Sequence, residues 1–176
     1  MRDPFANPLV VSAVVAGLLF FGLHRGPAEA ASPSMEEPLP QFVLPEVGDP
    51  NRELRSEELK GAPALLNVWA SWCPPCLAEL PLLISVTDEV RIYGLNYKDK
   101  RDDAIEWLAR NGNPFIKSGH DPEGKVARQF GIHGVPETFV IDRSGRIVHR
   151  HTGPISVREW AHVFRPLIQR LHEEPE

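Results

Sequence analysis

The two cysteines of this 176-residue chain, Cys73 and Cys76, stand three positions apart in "WASWCPPCLAEL" (69–80), with Pro74 and Pro75 between them. Such a pair can serve as a staple, as part of a metal site or as a redox centre. A disulfide across two residues closes a very small loop and gains little chain-entropy stabilisation. A structural zinc ion wants about four ligands, and here there is no second cysteine pair, while His120 and His133 are isolated. Covalent haem attachment wants C-x-x-C-H, but Leu77 follows Cys76. Redox chemistry is the favoured reading.

A thiol reacts as its thiolate, so whatever stabilises negative charge on sulfur activates it. A helix N-terminus does this with its free N–H groups and the positive end of its dipole. Cys73 falls at the expected N-cap of a helix, and Pro74 and Pro75 take its first positions, where a missing N–H costs little. Cys73 is therefore expected as the exposed attacking thiol. Cys76, one turn on and facing the core, is expected to resolve the mixed disulfide.

The surrounding pattern supplies elements that would hold the pair in place. "QFVLPEV" (41–47) reads as a short edge strand, and "APALLNVWAS" (62–71) as a strand buried on both faces. From Pro74 to about Ser85, Leu77, Leu80, Leu83 and Ile84 recur at helical spacing. "RIYGLNY" (91–97) is a second buried strand, and "RDDAIEWLARNG" a helix that starts near Asp102 or Asp103 and stops at Asn111-Gly112. A short helix over "GKVARQF" leads to two strands, "VPETFVID" and "GRIVHRHTG", joined by a tight turn at Asp142–Gly145. Trp160, Val163, Phe164, Leu167, Ile168 and Leu171 mark an amphipathic C-terminal helix. The expectation is an α/β domain, a central mixed sheet flanked by helices, with the cysteines where a buried strand gives way to a helix.

Length and composition fit one such domain: 42% of residues are hydrophobic, and the formal charge of −5 argues against nucleic acid as the main partner. Before it, "PLVVSAVVAGLLFFGL" (8–23) carries no charged side chain. It falls slightly short of the roughly 17 residues of a minimal membrane span, so a signal anchor competes with a cleaved signal peptide, and "AEA" (28–30) resembles a cleavage site. Both readings place the rest of the chain in an oxidising compartment. Residues 1–24 are taken as the N-terminal membrane segment, 25–40 as a flexible tether rich in Pro, Ala, Ser and Glu, and 41–172 as the folded domain.

"WASWCPPC" resembles a thioredoxin active site, and "GVPETFVID" (134–142) resembles the cis-proline segment that faces it. More narrowly, "GLNYKDKRDDAIEWLARNGNPF" (94–115) is similar to the membrane-anchored thioredoxin-like proteins of bacterial cytochrome c biogenesis, the CcmG/DsbE type. The resemblance implies a thioredoxin fold, with Cys73 as nucleophile and Cys76 as resolving thiol. It makes Pro136 the cis-proline, leaving the Val135 backbone free to pair with a substrate peptide. It places Glu79 and Glu137 near the dithiol as candidate proton relays. Trp72 would shield the sulfurs and offer a contact face, while Trp69 fits the core. Asn96, Tyr97 and His133 are candidates for a substrate groove, with Lys98 and Asp99 equally at home in a solvated turn. His133 stands where relatives carry an aromatic residue, which bears on substrate contacts and not on the redox chemistry.

The function this implies is a thiol:disulfide oxidoreductase tethered to the bacterial inner membrane and facing the periplasm. Its clients would be the C-x-x-C-H disulfide of an apocytochrome c, or a mixed disulfide with a maturation partner, with a membrane electron donor restoring the dithiol. No nicotinamide, flavin or metal is implied, because the electrons reside in the cysteine pair. A general periplasmic reductase and a non-catalytic apocytochrome-binding module are the alternatives. Pro75 offers no N–H and no side-chain donor to a thiolate, so the potential is expected nearer thioredoxin's, about −270 mV, than the about −120 mV of a strong oxidant.

Overall fold

The computed structural model describes residues 37–174. Its centre is β4 (Ala64–Trp69), every residue of which is buried. β4 pairs in parallel with β5 (Arg91–Tyr97), and β5 in parallel with β6 (Ser118–Asp121). On the other side β4 runs antiparallel to β7 (Glu137–Ile141), which forms a hairpin with β8 (Arg146–Thr152). β1 (Glu37–Pro38) completes the six-stranded sheet, in the order β1-β8-β7-β4-β5-β6. The β7–β8 turn closes through Gly145 N–H to the Asp142 carbonyl at 3.1 Å, with Gly145 at φ 84°, a conformation costly for residues with a Cβ.

Strand alternation sends side chains to two separate cores. On one face Leu65, Trp69, Ile92 and Val140 meet α1 (Pro74–Ser85), α2 (Arg101–Asn111) and the C-terminal helix α4 (157–173), through Leu80, Leu83, Ala104, Trp107, Trp160, Phe164, Ile168 and Leu171. On the other face Leu66, Val68, Leu95, Phe139 and Ile141 pack against Leu54, Leu59 and α3 (Lys125–Gln129). This is the expected mixed sheet flanked by helices, in the thioredoxin arrangement. Glycine is required at position 94: a Cβ there would lie 2.5 Å from Ser118 Oγ and 2.8 Å from Trp69 Nε1. Its absence lets the Trp69 indole donate to Ser118 Oγ across 2.9 Å and stack on Phe115, so Trp69 is core.

Four features depart from expectation. The domain begins before Gln41: Glu37 and Pro38 pair with Ile147 and Arg146, and Leu39 is buried while its N–H donates to the Gly145 carbonyl. Strand pairing with β8 and one buried apolar residue, Leu39, hold that segment, which composition alone assigns to a tether. β2 (Val43–Pro45) pairs with β3 (Glu53–Arg55) in a separate two-stranded ribbon, joined to β6 by one bridge, Glu46–Gly119. β6 itself, "SGHD", has no apolar side chain yet is buried throughout, because neighbouring groups satisfy its polar atoms. α4 contains a π turn over Trp160–Phe164, and Val163 points outward at 41% exposure. The expected membrane segment and most of the expected tether, residues 25–36, lie outside the described residues, among which no helix is long and apolar enough to cross a membrane.

Candidate active site

Where β4 ends, the chain turns through Ala70–Cys73, closed by Cys73 N–H to the Ala70 carbonyl at 3.2 Å, and enters α1. Cys73 is the N-cap, and Pro74 and Pro75 occupy the first helical positions. Cys73 and Cys76 are joined as a disulfide. The Cys76 N–H donates to Cys73 Sγ across 3.1 Å, a capping bond made to sulfur. Exposure does not separate the two: each is 2% exposed, so the expected open position of Cys73 is corrected. The disulfide folds Cys73 back toward the helix, within the apolar cluster of the α1 face, against which Val135 also packs. The asymmetry that remains is electrostatic. Cys73 Sγ, and not Cys76 Sγ, receives the helix N-terminal N–H.

The Val135–Pro136 peptide bond is cis and lies immediately before β7. One step past the last β4–β7 pair, Val68–Glu137, the register carries Pro136 and Val135 alongside Trp69 and Ala70, hence to the turn that bears Cys73. Val135 is half-buried, and the Pro136 carbonyl accepts from Gly153 N–H at 3.0 Å. Around the disulfide, Trp72 (54% exposed) and Leu77 (44%) form an open apolar rim with Pro74 and Pro75. The Trp72 indole nitrogen donates to the Lys98 carbonyl at 3.0 Å, which ties the ring to the chain between β5 and α2. His133 is exposed in the loop before the cis bond.

Glu79 is buried on α1 one turn after Cys76. Its Oε1 accepts from Asn67 Nδ2 at 2.9 Å, and its Oε2 from Ile155 N–H at 2.8 Å. The same Asn67 amide donates to Thr138 Oγ1 at 3.0 Å. Removal from water pushes the Glu79 pKa up to about 7, against the lowering effect of the Ile155 and Asn67 hydrogen bonds. The site thus has a carboxyl that exchanges its proton near neutral pH, on the helical face that carries Cys76.

Other expected site residues go elsewhere. Glu137 is buried too, but period-two alternation puts it with Val68 and Phe139, on the sheet face away from Asn67, Thr138 and Glu79. There its Oε1 pairs with Arg150 Nε, and Arg150 also donates to the Gly131 carbonyl at 3.0 Å and lies over the Phe139 ring. Glu137 therefore ties β8 to the base of the cis-proline loop, and is not joined to the Glu79 network. Asn96 and Tyr97 do not line a groove: they are 0% and 6% exposed. They end β5 inside the domain, where Asn96 links His120 to Asp99. Asp99, in turn, is no solvated turn residue, since its carboxylate holds Ser71 by two hydrogen bonds. Sequence reasoning misses Asn67, Thr138, Ser71 and Arg150. Of these, Asn67 alone carries a usable signal, as the one polar side chain within the apolar run of β4.

Together these features can carry out thiol–disulfide exchange: a cysteine at a helix N-terminus, a second one turn on, a buried acid on the same helical face and a cis-proline segment alongside the cysteine turn. The Redoxin family model matches residues 35–163. Among curated proteins, the thiol:disulfide interchange protein DsbE of Pseudomonas aeruginosa is 43% identical over 170 residues, covering 96% of this chain and 94% of the relative. DsbE of Allochromatium vinosum is 41% identical over 165 residues, covering 93% and 91%. Among solved structures, a thio-disulfide isomerase from Thermus thermophilus superposes with a TM-score of 0.63 at 27% identity, covering 80% of this chain and 98% of that one.

Proposed function

This chain belongs to the Redoxin family and, within it, to the DsbE thiol:disulfide interchange proteins, and from that premise we propose that it reduces disulfides in periplasmic cytochrome c maturation. It is a thiol:disulfide oxidoreductase that acts on partner proteins. The clients in this reading are the C-x-x-C-H disulfide of an apocytochrome c, or a maturation partner's mixed disulfide. The observation that carries it is the Cys73–Cys76 disulfide capping α1, in a chain similar to DsbE proteins along nearly its whole length. The apolar stretch 8–23 supports a tether in the inner membrane with the domain on the periplasmic side.

The exchange balances without a cofactor. In the reduced protein the Cys73 thiolate attacks one sulfur of the client disulfide, forming a mixed disulfide and releasing the other client sulfur as thiolate. The Cys76 thiol gives up its proton, with Glu79 as the nearby acceptor, and attacks Cys73 Sγ. The second client thiol leaves, and the protein is left with the Cys73–Cys76 disulfide seen here. Two electrons and two protons pass to the client, and a membrane donor of two electrons restores the dithiol.

The test is reduction by the dithiol form of the full chain of an oxidised peptide bearing C-x-x-C-H, compared with an unrelated disulfide peptide of equal length. Faster reduction of the C-x-x-C-H peptide is expected. Equal rates would make the protein a general reductase, and binding without reduction would make it a carrier module.

A further inference from the structure

Asp99 is 8% exposed, and four donors converge on its carboxylate. Ser71 N–H reaches Oδ2 at 2.6 Å and Ser71 Oγ reaches Oδ1 at 2.7 Å. Asn96 Nδ2 donates to Oδ2 and Lys100 N–H to Oδ1, each at 2.9 Å. Half of this coordination therefore comes from one residue of another element, and that residue lies in the Ala70–Cys73 turn. Just before Asp99, Lys98 sits at φ 46°, the one non-glycine residue with positive φ among the described residues. A side chain with a Cβ is disfavoured there. The twist aims the Lys98 carbonyl at Trp72 Nε1, 3.0 Å away, and seats Asp99 against Ser71.

The clamp is anchored from behind. Because Asn96 Nδ2 donates to Asp99, its Oδ1 faces His120 Nδ1 at 2.9 Å, so Nδ1 is the donor. Burial of His120 lowers its pKa, which favours the neutral ring in this role. The ends of β6, β5 and β4 are thus linked in series, from His120 through Asn96 and Asp99 to Ser71. None of these hydrogen bonds ends on a sulfur, so any influence on the chemistry passes through Ser71 and Trp72.

We propose that Asp99 is a positioning residue for the nucleophile, pinning the Ser71–Trp72 turn so that Cys73 keeps its N-cap place on α1 when the disulfide is open. The need arises in the dithiol state. In the oxidised protein the S–S bond itself holds Cys73 against Cys76. Once it is reduced, the thiolate depends on the turn to stay under the Cys76 N–H. This proposal rests on the reading of Cys73 as the attacking thiol.

The experiment uses the reduced full chain with Asp99→Ala, Asp99→Asn and Ser71→Ala. It reads the Cys73 thiol pKa from the pH dependence of alkylation, together with the rate of peptide-disulfide reduction. Asp99→Ala is expected to raise the thiol pKa by about one unit and to slow reduction at neutral pH about fivefold. Ser71→Ala moves both in the same direction by less, and carries the test if Asp99→Ala does not fold. Asp99→Asn, which keeps one acceptor oxygen, falls between Asp99→Ala and the unsubstituted chain. A lowered thermal midpoint with unchanged thiol pKa and rate would overturn the proposal, as a purely structural role. An equal lowering of the thiol pKa by Asp99→Ala and Asp99→Asn would also overturn it, because charge and not position would then be what Asp99 supplies. Activity retained in Cys73→Ser would instead refute the assignment of the nucleophile, and the proposal with it.

Discussion

Cys73→Ser is expected to lower disulfide-reductase turnover by about 10³-fold or more while leaving the fold intact. Serine is a favourable N-cap residue, so it can take over the hydrogen bond from Cys76 N–H that Cys73 Sγ now accepts. What it cannot supply near neutral pH is a nucleophilic anion, or a sulfur able to form the mixed disulfide. Cys76→Ser has a different signature: attack by Cys73 proceeds, release fails, and the covalent complex with the client accumulates, visible by mass spectrometry without reductant. This pair of outcomes matters because burial does not assign the roles, each cysteine being 2% exposed. The assignment rests on which sulfur the helix N-terminus addresses. If Cys73→Ser trapped the client and Cys76→Ser turned over no client and trapped none, the roles would be reversed.

The second large effect comes from Glu79. Its pKa in the folded protein, pushed up by burial, is about 7, against an ordinary 4.5. Between those values the folded chain holds a proton that the unfolded chain has released. Stability linked to Glu79 is therefore fully present below about pH 4.5 and is lost as pH rises toward and through 7. The loss is on the order of 3 kcal/mol. Glu79→Gln removes this contribution, so the urea-unfolding free energy of the variant minus that of the unsubstituted chain should rise with pH across that window. A difference that stays constant would show that the Glu79 carboxyl does not titrate there. The same substitution is expected to slow release from the mixed disulfide more than its formation, since the proton accepted in release belongs to Cys76.

Much of this arrangement is readable from residue order. The apolar run ending in Trp69, the helical spacing after Pro75 and the hairpin around Gly145 each encode an element locally, because strand, helix and turn periodicities leave distinct traces. β6 leaves none: Ser118, His120 and Asp121 are polar, and their burial depends on partners such as Trp69, Asn96 and the N–H groups of Lys125 and Ala127. The separation of Glu79 from Glu137 is equally hidden, since the resemblance alone places both acids near the dithiol. Only the pairing of β4 with β7 reveals that Thr138, and not its neighbour, shares a face with Asn67. "NYKD" reads in sequence as a possible client groove. Asn96 and Asp99 instead turn inward and hold the active-site turn, a role visible only once β4 and β5 lie side by side.

The most direct test of the central claim, that this protein reduces disulfides, is the reduction potential of the Cys73–Cys76 pair in the full chain, by equilibration with glutathione or dithiothreitol buffers. Pro75 gives a thiolate no additional donor, so the dithiol should not be strongly stabilised, and a value clearly more negative than about −200 mV is expected. A value near about −120 mV would contradict the reductant role and mark the protein as a disulfide former on the same fold.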